Sequence, residues 1–206
     1  MPLIIGLTGG IGCGKSSATK FFATYGIDII DTDEIAHELT LSRGKAMDAI
    51  KKTFGMDFIA KDDSLDRNKM RELVFSNPIF RNKLEAILHP LIYHEVIRRV
   101  SLATSAYIIV VVPLLLETNV FQKLIHRILV IDCTEQLQIS RTIARSKLDE
   151  QKVRAIMATQ ISRKERLEQA DDIIVNDRDL DYLYKQVETL HLKYLALSID
   201  KLNKPV

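Results

Sequence analysis

The chain has 206 residues, 47% of them hydrophobic, and a formal net charge of +2. That is apolar enough for a sizeable core, which excludes a disordered chain, and too balanced in charge for a general pull toward nucleic acid or an anionic membrane. The two cysteines, Cys13 and Cys133, have no metal-ligand spacing and are too few for a disulfide framework, which suits a reducing cytoplasm.

The first element is "LIIGLT" (3–8), an apolar run ending in the glycine loop that predicts a buried parallel strand. Glycines interrupt it and no basic stretch precedes it, so it does not read as a signal peptide. It leads into Gly9, four further residues, and Gly14-Lys15-Ser16, the phosphate-cradling pattern G-x-x-x-x-G-K-[ST]. All eight glycines lie before residue 56, and five fall between Gly6 and Gly14, where a backbone must approach a ligand closely.

"KSSATKFFATYG" (15–26) predicts the helix after the loop, with Gly26 as its stop signal. "IDIID" (27–31) predicts a second strand ending at "DTDE". Helical spacing recurs from Glu34 to about Phe54, "AKDDSLDRNK" (60–69) reads as a polar connection, and 70–102 reads as helical with breaks at Pro78 and Pro90. "AYIIVVV" (106–112), stopped by Pro113, is a third strand, "RILVID" (127–132) a fourth and "DIIV" (172–175) a fifth, before a helix through about Ser198. "YIIVVVPLLL" (107–116) is far shorter than the roughly 20 residues of a membrane helix. Strands alternating with helices predict an α/β fold with a parallel sheet, whose ligands sit at the carboxyl edge of the strands.

The glycine loop, placed between a strand and a helix, predicts a bound nucleoside triphosphate. Lys15 then reaches the β- and γ-phosphates and Ser16 ligates Mg²⁺. Cys13 occupies a free position of the loop and reads as a small tolerated side chain. If the second strand continues, Asp31 and Asp33 point to the same side. One could order a Mg²⁺ water and the other deprotonate an acceptor hydroxyl; Asp31 or Thr32 could equally cap the next helix. Asp132 reads either as a Mg²⁺-water carboxylate or as the opening of a helix at "DCTEQ". His89 and His94 are five apart and do not share a helix face, so no metal other than Mg²⁺ is predicted. Residues 141 to 166 carry a local charge of +5 against +2 for the whole chain. Between two core strands, such a segment predicts an arginine-bearing lid over the γ-phosphate.

Several acceptor classes fall away. No glycine has Asp three residues before it, so the D-x-x-G of a GTPase switch is missing; N-K-x-D is missing too, and "NKLE" (82–85), which comes closest, sits inside a helical stretch. A nucleic-acid motor would present a basic or aromatic track, yet there is no Trp. The H-R-D and D-F-G of protein kinases are absent. A small-molecule kinase fits.

"GLTGGIGCGKS", "DIIDTDEIAHEL", "LEAILHPLI", "VVPLLLE" and "QADDIIVND" occur in this order, and together they resemble the dephospho-coenzyme A kinase family over roughly residues 3 to 190. The resemblance implies a P-loop kinase: a five-stranded parallel sheet core flanked by helices (about 1–34, 103–140 and 167–206), a helical substrate domain (about 35–102) and a helical lid (about 141–166). It implies transfer of the γ-phosphate of ATP to the ribose 3′-hydroxyl of dephospho-CoA with Mg²⁺, by a cytoplasmic monomer that binds neither nucleic acid nor membrane. Another small-molecule or nucleotide kinase of the same fold is the alternative. By the same likeness Asp33, Lys15 and Arg141 are catalytic. Gly9, Gly12, Cys13, Gly14, Lys15, Ser16, Ser17, Arg145 and Asn176 hold ATP. Asp31, Asp33, His89, Pro113, Leu114, Leu115 and Glu117 hold the acceptor. Asp177-Arg178-Asp179 departs from the family, which often has a small residue and Gly after "VND", at the turn expected beside the adenine.

Overall fold

In the computed structural model, which describes residues 2–118 and 120–203, the chain forms two compact units. One comprises Met1–Ile30 with Ala103–Val206, the other Asp31–Leu102.

The first unit is built on a five-stranded parallel sheet. Its strands are β1 (Leu3–Gly9), β2 (Asp28–Asp31), β3 (Tyr107–Val111), β4 (Arg127–Asp132) and β5 (Asp172–Val175), in the order β2-β3-β1-β4-β5. β1 is central and pairs in parallel with β3 (Ile5 opposite Ile109) and β4 (Leu7 opposite Leu129). Every residue of β1 and β3 is buried. That is why both read as continuous apolar runs rather than as alternating ones. Helix α1 (Lys15–Thr24) and the last helix, α9 (Leu180–Asn203), pack against one face. There Phe22, Leu183, Val187 and Tyr194 join Leu3, Ile5, Leu7, Ile109 and Ile131 in one apolar cluster. Each fully buried aliphatic side chain contributes about 1.5–3 kcal/mol. The outcome is a rigid β1 whose carboxyl end delivers the glycine loop in mid-sheet. After β4 come α6 (Glu135–Ser146), α7 (Glu150–Ala158) and α8 (Arg163–Glu168).

α1 stops where Gly26 predicts: Tyr25 ends it and Gly26 takes φ 73°, its N–H returning to Ala23 O at 3.0 Å. α9 runs five residues past the expected end.

The second unit is helical: α2 (Thr32–Leu39), α3 (Met47–Phe54), α4 (Arg67–Ser76) and the 25-residue α5 (Pro78–Leu102). α5 is its spine, with Ile92, Val96 and Val100 forming a buried stripe at four-residue spacing. α2, α3 and α4 pack on it. Two expectations change here. The periodic segment from Glu34 to Phe54 is two helices, separated by a turn in which Ala46 N–H donates to Leu39 O. The helix over 70–102 does not break at Pro90. The proline is exposed, so the backbone bond it forfeits faces solvent, and the apolar stripe beyond it holds the helix in register. Pro78 does mark a boundary, as the first residue of α5.

Candidate active site

β1 ends at Gly9 and α1 begins at Lys15, so the glycine pattern is the turn between strand and helix. Gly14 sits at φ 92°, and a Cβ there would collide with the Nδ2 of Asn176, so the position excludes any larger residue on two counts. α1 has no side-chain cap and no carboxylate in its first turn. By contrast α2, α4, α6, α7 and α8 are capped by Asp31, Asp66, Thr134, Asp149 and Ser162. The positive end of the α1 dipole, with no side chain capping it, suits an anion. Lys15 folds over this turn, its Nζ donating to Gly9 O at 2.7 Å and Gly10 O at 3.1 Å. Ser16 is exposed at the head of α1, and Ser17 N–H donates to Gly14 O at 3.0 Å.

Several long-range bonds brace the turn. Buried Asn176, just past β5, donates from Nδ2 to Cys13 O at 2.8 Å. Arg141 on α6 donates to Asn176 O at 2.8 Å, so three expected site residues meet. Arg145, one turn further along α6, is exposed. Gly12 lies against α6, where a Cβ would come within 2.6 Å of Gln138 O. Gln160, between α7 and α8, accepts from Ile11 N–H at 3.2 Å. Arg166 on α8 is buried, donates to Ile161 O at 2.9 Å and lies beside Gly10. A cleft of about 250 Å³ opens between these helices, lined by Gln138, Arg154, Gln160, Arg163 and Arg166 among others.

The "PLLLE" turn belongs to the same unit. Thr8 Oγ1 donates to Pro113 O at 3.1 Å, Leu115 is buried and Leu114 is exposed. Glu117 accepts from Ile161 N–H at 3.0 Å, anchoring the α7–α8 connection from its other side.

Asp132 does not open the helix that follows it. Thr134 caps α6, with its side chain accepting from Leu137 N–H. The Asp132 carboxylate is gripped by Arg163 through bonds of 2.9 and 2.6 Å. This pair holds the Arg163 guanidinium above its usual pKa.

In the second unit, Asp31 accepts from Asp33 N–H at 2.8 Å and is the N-cap of α2. The helix begins at Thr32, so β2 does not continue through "DTD" and the two carboxylates are arranged by the cap instead. Asp33 is exposed in the first turn. Arg67, at the head of α4, interacts electrostatically with Asp33 and donates to Thr40 Oγ1 at 2.9 Å. Its pKa is lowered, first by burial. His89 is half-buried on α5.

Arg67, Gln160, Arg163 and Arg166 were not singled out by sequence. The only signal for the last three was the charge excess in which they lie, and Arg67 fell in the predicted polar connection. Among the described residues no group of three or more His, Cys, Asp or Glu is placed to hold a metal ion. The exposed Ser16 hydroxyl offers one oxygen of the kind Mg²⁺ takes, a cation usually held through phosphates and water.

A family model for dephospho-CoA kinase matches residues 3–181. The dephospho-CoA kinase of Nitrosomonas europaea is 61% identical over 96% of this chain and 98% of its own length. That of Nitrosospira multiformis is 56% identical over 95% and 98%. Among solved structures, the dephospho-CoA kinase from Campylobacter jejuni superposes with a TM-score of 0.70 at 25% identity, over 95% of this chain and 98% of its own. With the uncapped, lysine-covered turn at the centre of a parallel sheet, these likenesses lead to one conclusion: the chain belongs to the dephospho-CoA kinase family.

Proposed function

We propose that the chain transfers the γ-phosphate of ATP to the ribose 3′-hydroxyl of dephospho-CoA, the last step of coenzyme A synthesis, with Asp33 as the general base. The observation that carries this is the turn from Gly9 to Ser17: no side chain caps the helix that it opens and Lys15 closes over it, in a chain of this family. Gly9, Gly12, Cys13, Gly14 and Ser17 hold the β- and γ-phosphates through the backbone, and Lys15 neutralises the charge that develops as the phosphoryl group leaves. Ser16 would hold Mg²⁺, which when bound supplies neutralisation of the phosphate oxygens. Arg141 and Arg145 meet the transferred phosphoryl group when the segment from 141 to 166 closes as a lid. Asn176 lies on the adenine side and braces the loop at Cys13. Asp31, His89, Pro113, Leu114 and Leu115 orient the acceptor. Glu117, engaged with Ile161, ties the acceptor side to the lid. No helix among the described residues is long and apolar enough to cross a membrane; the chain works as a cytoplasmic monomer, and its two free cysteines suit a reducing compartment.

An alcohol is a poor nucleophile, so the protein must place its oxygen in line with the γ-phosphate and take its proton as the bond forms. Asp33→Asn is nearly isosteric and keeps the backbone N–H that Asp31 accepts, but its amide cannot take the proton. Expected are near-normal ATP and dephospho-CoA affinities by calorimetry, an unchanged Tm, and a kcat about 10² to 10⁴ lower. Dephospho-CoA lacking the 3′-hydroxyl should bind and not react. A mutant that keeps most of its kcat removes Asp33 from the role. Rapid ATP hydrolysis that dephospho-CoA does not alter removes the kinase reading itself.

A further inference from the structure

The only two cysteines of the chain lie 120 positions apart in sequence and touch in the fold. Cys13 stands inside the phosphate turn, between Gly12 and Gly14. Cys133 is the residue after β4, the strand next to β1. Both thiols are fully buried, and Cys133 donates its S–H to Cys13 Sγ at 3.3 Å. Nothing in phosphoryl transfer uses either sulfur. We propose that Cys13 and Cys133 form an oxidisable dithiol, a modification site that a hydroperoxide closes to a disulfide, switching off the nucleotide turn.

Three observations support this. The sulfurs are about 1.3 Å further apart than a bonded pair, which has an S–S distance of about 2.05 Å, a gap that small side-chain rotations can close. The two thiols are unequal in the way such chemistry needs. The hydrogen bond from Cys133 favours the thiolate of Cys13 and lowers its pKa, with the nearby Lys15 charge adding to this, while the same bond raises the pKa of Cys133. Finally, Cys13 is tied into the turn by its backbone: its N–H donates to Gly10 O at 3.3 Å, and its carbonyl accepts from Asn176 at 2.8 Å. Pulling its side chain toward β4 displaces the residue on which these bonds depend.

The chemistry balances with a peroxide as sole oxidant. The Cys13 thiolate attacks one peroxide oxygen. An S–O bond forms, the O–O bond breaks, and the departing hydroxide takes the Cys133 proton and becomes water. The Cys133 thiolate then attacks Cys13 Sγ. The S–S bond forms, the S–O bond breaks, and the second hydroxide leaves as water with the proton that Cys13 had released to solvent. Two thiols lose two electrons and the two peroxide oxygens gain them. Because both sulfurs are closed to water, oxidation waits on local opening of the turn. A thiol reductant restores the resting state.

The test is made on the purified, fully reduced full chain. It is treated with hydrogen peroxide, quenched by alkylation under denaturing conditions, and mapped by peptide mass, with kinase turnover followed in parallel. Expected is a cross-linked peptide pair carrying Cys13 and Cys133. Both alkylation sites should be lost together, and turnover should fall about a hundredfold in step, a size set by the displacement of a phosphate-binding loop. Dithiothreitol should reverse all three. Cys133→Ser should keep basal turnover, form no cross-link and show no reductant-reversible loss, and Cys133→Val serves the same purpose if serine disturbs the packing. Alkylation of both thiols after peroxide, or oxidation of each separately to higher acids without a cross-link, would overturn the proposal and leave the pair as core packing. A cross-link that forms while turnover stays normal would overturn the switch. The cross-link is read by mass alone, so its failure is distinguishable from a failure of the kinase assignment.

Discussion

The two units place their functional groups in opposite ways. In the sheet unit the candidate phosphate site is made of backbone and braced by side chains distant in sequence: buried Asn176 on Cys13, half-buried Gln160 on Ile11, buried Arg166 beside Gly10. In the helical unit the candidate base, Asp33, stands exposed in the first turn of a helix that Asp31 caps independently. Binding and stability should therefore be inseparable in the first unit and separable in the second. The Asp33→Asn experiment tests the second half of that statement.

The sharpest test of the first half is Gly14→Ala. A left-handed φ costs a non-glycine residue about 1–2 kcal/mol. The new Cβ would also displace the Asn176 amide and leave Cys13 O without its donor, adding about 1–3 kcal/mol. ATP affinity measured by calorimetry should fall more than about a hundredfold, and the denaturant midpoint should fall with it at unchanged m. A mutant that loses ATP binding at full stability would break the comparison, because the turn would then be a separable ligand contact.

A smaller effect comes from the ion pairs. Asp132 is almost completely buried and its bidentate partner is Arg163. Arg163→Met leaves that carboxylate unpaired. Arg163 is itself 39% exposed, so water can partly replace it and the cost is at the low end for a buried pair, about 1–3 kcal/mol. Restoring stability with Asp132→Asn in the same chain would confirm that the unpaired charge, and not lost packing, carried the cost. No recovery would assign the effect to the arginine's stem.

These partners also mark where sequence reading stops. β1, β3 and β4 were legible because strands buried in a parallel sheet are apolar on both faces, and the phosphate turn because its chemistry is local in sequence. The arrangement of "DTD" was not, since extrapolating β2 ignores that Asp31 can satisfy the Asp33 N–H and start a helix at once. Pro90 misled for a physical reason: a proline's cost depends on whether the lost bond faces water, which composition does not show. The braces were illegible in principle. Gln160 finds Ile11 at 149 residues' separation and Arg163 finds Asp132 at 31, and a charge excess announces neither pairing.

The smallest predicted effect lies in the helical unit and is set by pH. On α5, Glu95 bonds Arg98 at 2.9 and 2.6 Å and Arg99 at 3.0 Å. The hydrogen bonds from Arg98 are the largest cause of a pKa pulled down from 4.5 to about 2. A carboxylate with a lowered folded-state pKa adds stability that is complete above its unfolded value and is lost as pH falls through the folded one. The contribution of Glu95 should thus be whole above pH 4.5 and fade between 4.5 and about 2. Arg98 is 56% exposed, so solvent and salt screen the cluster and its worth is about 0.5–1 kcal/mol, below that of the Asp132 pair. In urea titrations Glu95→Gln should be less stable than wild type by that amount near neutrality. The difference should shrink as pH drops below 4.5 and as salt is added. A difference that persists unchanged at low pH would mean that Glu95 acts through packing of its stem, and the contrast between a buried, charge-dependent pair in the sheet unit and a screened one in the helical unit would fail.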